Sequence, residues 1–270
     1  MSPNAIIIAD SVSPDGSRLT TMEVRMHRFV LAEFNTHRVF SRNSASSRAI
    51  PLGKQITRLR EDLAYPVVWP SEQPGMQGGD AIDDPFMAER IWEKAADDAI
   101  NHALRLQELR VHKSVINRLL EPFMWHTVIV TSTEWENFFG LRCHELAQPE
   151  IRVAAELMRD AYNASRPDFL KYGEWHAPYA SSTMRSNDLE GALKASVARC
   201  AWVSTVAHDG DHSWDAIERM YDRLTTAVPM HASPLEHQAC PAGYETDGNF
   251  KGWCQLRHMV EAGNVPWEER

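Results

Sequence analysis

One stretch limits what this chain can fold into: Glu33 to Pro51, reading EFNTHRVFSRNSASSRAIP. It crowds Arg38, Arg42 and Arg48 among Thr36, His37, Ser41, Asn43, Ser44, Ser46 and Ser47. Apolar residues are too few there for an amphipathic helix. The preceding residues, Met22 to Phe34, alternate loosely and read as a strand, so the polar run falls at a strand end. Arginine forks, hydroxyls and turn-prone backbone at such a place are what a phosphate needs. A solvated loop with three scattered arginines accounts for the composition equally well.

The rest of the chain narrows the setting. Its 270 residues are ample for a buried core, and 43% hydrophobic with 24% charged residues is ordinary for a globular protein. A net charge of −9 argues against a general binder of nucleic acid polymer or membrane surface, while leaving room for a local basic pocket. No apolar run approaches a membrane span, and Ile6-Ile7-Ile8 is too short for a signal core, so a cytoplasmic protein is expected. Cys143, Cys200, Cys240 and Cys254 form no C-x-x-C pair, and the twelve histidines show no metal-ligand spacing. Neither a disulfide framework nor a metal site is expected.

Taken in order, Ile6 to Ala9 reads as a short strand, Ser13 to Gly16 as a turn, and Arg18 to Phe34 as a second extended segment. Leu52 to Leu63 suits a short helix. Tyr65 to Asp84, rich in proline and glycine, reads as a surface loop serving as a lid or an interface arm. Asp84-Pro85 opens a long helix to about Leu109. Its two adjacent apolar rows start at Ile91 and Trp92 and give a broad core face. Thr133 with Glu136 can box the next helix, and Gln148-Pro149 opens another to about Ala164. Asn187 with Glu190 can cap a helix over Leu189 to Ala201, and Ser213 one through Leu224. A last helix, Asn249 to about Ala262, closes at Gly263. Its Gln255, Arg257 and His258 receive no role.

The arginine stretch resembles the signature of the flavin-dependent thymidylate synthases, R-H-R-x7-S followed by G-R. Here it reads Thr36-His37-Arg38, seven residues, then Ser46-Ser47-Arg48. Later segments are similar to the same family: N-R-L-L-E-P with Arg118, N-F-F-G-L-R with Asn137 and Arg142, and A-Q-P-E-I from Ala147 to Ile151. The family's opening motifs appear near the other end, as A-R-C-A-W-V-S (Ala198 to Ser204) and H-A-S-P-L-E-H (His231 to His237). The resemblance implies a circular permutation, with residues 187–240 standing for the family's first third. An unrelated extension is the alternative.

It further implies one α+β domain over residues 1–270, with an antiparallel or mixed sheet packed on long helices. The activity implied is C5 methylation of a pyrimidine deoxynucleotide monophosphate, most simply dUMP to dTMP. FAD would be the cofactor, with NADPH and methylene-tetrahydrofolate as co-substrates, in a homotetramer whose sites are shared between subunits. Ser46, Ser47, Arg48 and Arg118 would hold the phosphate, Arg118 from a neighbouring subunit. Glu33 and Ser44 would lie at the base, and Arg142 would polarise the ring as the catalytic donor. His37, Arg38, Val39, Asn137, Ser204, Glu236 and His237 would meet the flavin. For Arg142, a structural ion pair with Glu145 or Glu150 is the plain alternative. The chain departs from the family at Thr36, Glu33, Ser44, Leu146 and Thr131-Ser132-Thr133. Two rival readings follow: a dCMP methylase or hydroxymethylase, and a nucleotide-binding homologue that has lost flavin.

Overall fold

A computed structural model describes residues 2–203, 212–243 and 248–267. Its centre is a five-stranded mixed sheet in the order β3-β4-β2-β1-β5. β1 (Asn4–Val12) and β2 (Arg18–His27) form an antiparallel hairpin whose register slips between Ile7 and Ala9. The turn is the one the sequence signals: the Ser13 hydroxyl accepts from the Ser17 amide at 3.1 Å, and Gly16 takes φ +79°. β2 stops at His27, so the extended reading to Phe34 is corrected. Arg28–Val30 is a 3-10 turn and Leu31–Asn35 the short helix α1, spaced so that Val30 and Phe34 both enter the core.

Part of the arginine stretch is itself a strand. β3 (Ser41–Ser44) lies on the edge of the sheet, antiparallel to β4. α2 (Leu52–Glu61) follows, then the loop 65–84, and then α3 (Pro85–Glu108), capped by the Asp84 carboxylate on the Met87 amide at 3.0 Å. The expected broad apolar face of α3 is narrower in the chain. Ala96, Ile100 and Ala103 are buried, but Ile91 is 63% exposed and Leu104 37%. α4 (Lys113–Ile116) runs into a 3-10 segment, Asn117–Phe123, that leads to β4 (Trp125–Ser132).

α5 (Glu136–Arg142) has no side-chain cap, contrary to the expected box. Thr133 instead accepts from the Lys251 amide at 3.1 Å. α6 (Pro149–Ala164) follows, then β5 (Asp168–Phe169), which pairs parallel to β1. α7 (Ser182–Asn187) and α8 (Leu189–Trp202) come next, and Asp188, rather than Asn187, caps α8 on the Gly191 amide at 2.8 Å. α9 (Trp214–Thr225) is capped by Ser213 as expected. The final helix is not the long one read from the sequence. β6 (Ala239–Pro241) and β7 (Trp253–Gln255) form a small hairpin, and only Leu256–Glu261, α10, is helical. Gly252, at φ +78°, brings its backbone close to Gly243 there, which a helix could not accommodate.

The two faces of the sheet differ. Met22, Val24, Met26, Val128 and Val130 pack on α5 and α6 through Phe138, Ile151, Ala154, Ala155 and Met158. The other face meets the C-terminal segment, where α8, α9 and α10 share Leu193, Val197, Tyr221, Leu224, Leu235 and Leu256. Among the described residues no helix is long and apolar enough to cross a membrane.

Candidate active site

The site grows from the turn after α1. The amides of Thr36, His37 and Phe40 bond back to Glu33, Phe34 and His37 at 3.2–3.4 Å, which folds the expected motif into successive tight turns. His37 points inward, its ring edge-on to Phe138 at 4.9 Å and stacked near Phe40 at 5.7 Å. Arg142, at the end of α5, donates from Nε to His37 Nε2 at 3.0 Å. Its Nη2 reaches Thr36 Oγ1 at 3.2 Å and the Glu33 carbonyl at 3.4 Å. The ion-pair alternative is therefore not realised: Glu150 accepts from the Val67 amide and Gln148, each at 2.9 Å.

Accepting from a guanidinium requires an imidazole nitrogen without a proton. Burial, then the charges of Arg142 and Arg42, push the His37 pKa down to about 4, so the ring is neutral. Arg42 donates from Nη1 to the carbonyls of Phe34 and His37, both at 3.3 Å, and so braces the turn. Beside this cluster, Glu33 Oε2 is buried with no partner among the described residues. Arg38, Val39 and Asn137 stand exposed around it. Leu141 and Leu146 are also exposed, which gives the rim an apolar margin.

The serine loop forms a second cluster. Ser47 donates to Glu121 Oε1, which also accepts from Arg118 at 2.8 Å and Arg28 at 3.2 Å. Asn117 pins the loop, donating to the carbonyls of Ser47 at 2.6 Å and Ile50 at 2.9 Å. Lys113 adds a bond to the Ala49 carbonyl at 3.1 Å. Ser44 is half-buried on β3, and Ser46 accepts weakly from the Arg48 amide at 3.4 Å, leaving the Arg48 side chain exposed. Asn117 and Glu121 hold the serine loop, and sequence reasoning gave neither of them a role. Both lie in the N-R-L-L-E-P segment, one residue before Arg118 and three after it, where only Arg118 was given a role.

The C-terminal segment docks on β3. Asn43 donates to the Cys200 carbonyl at 2.7 Å, and Gln255 Nε2 bridges Ser41 Oγ at 3.1 Å and the Glu236 carbonyl at 2.8 Å. The Glu236 carboxylate pairs with Arg257. Gln255 and Arg257 thus have structural roles that their spacing did not announce. His237 bonds Thr131 Oγ1 at 2.8 Å, and Thr131 bonds Thr21 Oγ1 at 2.7 Å. Thr21 reaches His176 at 2.8 Å, and His176 reaches Ser11 at 2.9 Å. His237 is therefore linked to Thr21 through one hydroxyl. The cleft it was expected to share with His37 and Arg38 does not form within the chain, because His237 is wholly buried. Ser204 lies outside the described residues. Among them no group of three His, Cys, Asp or Glu gathers as metal ligands.

The candidate site is thus an α+β core carrying two polar clusters, a guanidinium fixed at the end of α5 and a serine–arginine loop after the edge strand. Residues 18–168, more than half of the chain, match the family model described as thymidylate synthase complementing protein, and the chain belongs to that family. The fold is similar to that of the UMP/dUMP methylase PolB from Streptomyces cacaoi, in its crystal structure bound with 5-Br dUMP. That match has 17% identity and a TM-score of 0.50, covering 60% of this chain and 90% of that one. The same methylase bound with 5-Br UMP matches at 19% identity and a TM-score of 0.46, over 60% and 88%. No curated protein matches in sequence.

Proposed function

We propose that this protein methylates C5 of a pyrimidine deoxynucleotide monophosphate, converting dUMP to dTMP with methylene-tetrahydrofolate and NADPH. The observation that carries the reading is the fixed state of Arg142. Two of its nitrogens are committed to His37, Thr36 and the Glu33 carbonyl, while Nη1 has no partner among the described residues. A donor held in place in this way costs little reorganisation when negative charge develops on the O2/N3 edge of a pyrimidine. Neutral His37 keeps Arg142 aimed without competing for that charge. Ser46 and Arg48, with Arg118 from a neighbouring subunit of a homotetramer, hold the phosphate. Leu119 beside Arg118 is 40% exposed and Val115 58%, as an interface would use them.

The residues present fit a flavin. Arg38, Val39 and Asn137 are open, the Leu141–Leu146 margin is apolar, and the buried Glu33 oxygen lacks a donor. FAD bound there supplies the redox and one-carbon transfer chemistry. Glu236 lies behind the arginine stretch, and His237 supports it from within the core. The chain order is a circular permutation of the family. The bond from His237 to Thr131, and the docking of Ser233 and Glu236 against β3, support it.

One observation favours a second substrate. The unpartnered Glu33 carboxylate can accept from an exocyclic amino group, which suits dCMP. The test is to incubate purified protein with FAD, NADPH and methylene-tetrahydrofolate, supply dUMP and dCMP separately, and read product mass. Native mass spectrometry of the same preparation reads the oligomer. The expected result is a methylated product from dUMP on a yellow tetramer. Product from dCMP alone transfers the assignment to the cytosine nucleotide. A colourless protein that turns over neither nucleotide overturns the enzymatic reading.

A further inference from the structure

We propose that Cys240 and Cys254 are a paired modification site, two thiols that a peroxide joins into a disulfide across the C-terminal hairpin. The strands β6 and β7 pair antiparallel, and in their register Cys240 stands directly opposite Cys254. The hairpin alternates strictly. Ala239, Pro241, Trp253 and Gln255 are buried on one face, while both cysteines are half-buried on the other. Directly opposed residues of an antiparallel pair project to the same side. The Ala242 amide donates to the Gly252 carbonyl at 3.0 Å, and the Leu256 amide to the Gln238 carbonyl at 2.9 Å. Those bonds lie two residues to either side, which places the cysteines in a hydrogen-bonded pair. The Cα atoms of such a pair stand about 5.5 Å apart. A disulfide spans Cα separations of roughly 4.4–6.8 Å, so the bridge closes without a change of register.

The two thiols differ, and the difference sets the order of steps. Cys240 packs against the apolar residues shared by α8, α9 and α10. Burial, then the neighbouring Cys254, push its pKa up to about 12, so it stays protonated. Cys254 is therefore the sulfur that meets the oxidant. It attacks one oxygen of the peroxide and the O–O bond breaks. The departing hydroxide takes the Cys254 proton, leaving a sulfenic acid and one water. Cys240 then attacks the sulfenic sulfur. The S–S bond forms, the S–O bond breaks, and the hydroxide leaves with the Cys240 proton as a second water. The two thiols give up two electrons, and one peroxide is reduced to two waters. The bond ties together the strands that seat β3. β6 follows His237, and β7 carries Gln255, which bridges Ser41 and the Glu236 carbonyl. In a reducing compartment such a bond is transient rather than structural.

The remaining cysteines make the test specific. Cys143 follows α5 and Cys200 is buried on α8, so neither lies in this hairpin. The full-length protein is treated with hydrogen peroxide, blocked with N-ethylmaleimide as it is denatured, and digested without reduction. The expected result is a loss of two of the four titratable thiols. A cross-linked peptide should join Cys240 to Cys254, and dithiothreitol should reverse both changes. Cys254→Ser should abolish the cross-link, and Cys240→Ser should leave Cys254 as a sulfenic acid that dimedone captures. Bridges that involve Cys143 or Cys200, or that join two chains, overturn the inference. So does a Cys240–Cys254 pair that stays reduced in excess peroxide. The native chain decides between these outcomes, so a variant that fails to fold leaves the answer unchanged.

Discussion

The two faces of the central sheet solve the same packing problem with different forces. Toward α5 and α6 the contacts are apolar, from Met22 and Val24 to Met158. Such burial is non-directional and tolerates small shifts. Toward the C-terminal segment a line of hydrogen bonds crosses the sheet, from Ser11 through His176, Thr21 and Thr131 to His237. Each of those bonds demands one register and one rotamer. The apolar face supplies stability, and the polar face selects which segment docks and where. The arginine stretch lies on the edge strand that both faces meet.

Breaking the apolar face should have the largest effect. Met158→Ala is expected to cost about 2–5 kcal/mol, read by denaturant unfolding, because a fully buried side chain leaves a cavity. A loss under about 1 kcal/mol would mean that the helix–sheet contact is not the main core. Thr131→Val is expected to cost about 1–3 kcal/mol, since it strands His237 in the interior and leaves Thr21 only its bond to His176. Combined with Thr21→Val it should be clearly non-additive, and simple additivity would show that the hydroxyls do not act as a unit.

Acid titration sharpens the contrast further, with the smallest effect near neutrality. Burial lowers the pKa values of His176 and His237 to about 3, and His37 stands at about 4. The unfolded chain therefore takes up protons that the folded chain refuses. The stabilisation is complete above the ordinary histidine value near 6.5 and is lost progressively as pH falls from there toward 3. Melting temperatures from pH 7.5 to 5 should decline, and Met158→Ala should lower the whole curve without flattening it. A flat profile would indicate that the histidines are charged or exposed.

The same contrast explains what was legible in the residues. The alternation in β2 and the apolar spacing of α6 follow from periodic burial, and both were readable. The position of Arg142 at the end of an aromatic helix was readable too. The helical reading of 249–255 failed because Trp253 and Leu256 fit helical spacing, yet Gly252 turns a hairpin there. The strand reading past His27 failed because Val30 and Phe34 suit either period over so short a run. Asn117, Glu121, Gln255 and Arg257 were invisible for a different reason. Each acts on residues distant in the chain, and no local pattern encodes a partner of that kind.

The position of β3 on the sheet edge has one more consequence. An edge strand offers unpaired backbone groups to any passing chain, and extended apolar edges seed aggregation. This edge reads Ser-Arg-Asn-Ser, four residues long, with the Asn43 side chain tied to the Cys200 carbonyl. Short length, an inward-turned charge and a docked cover are each known ways of refusing a foreign strand. The polar side chains of β3 thus keep the edge from polymerising, and the serine loop that follows it can stay open without exposing a strand to pair with.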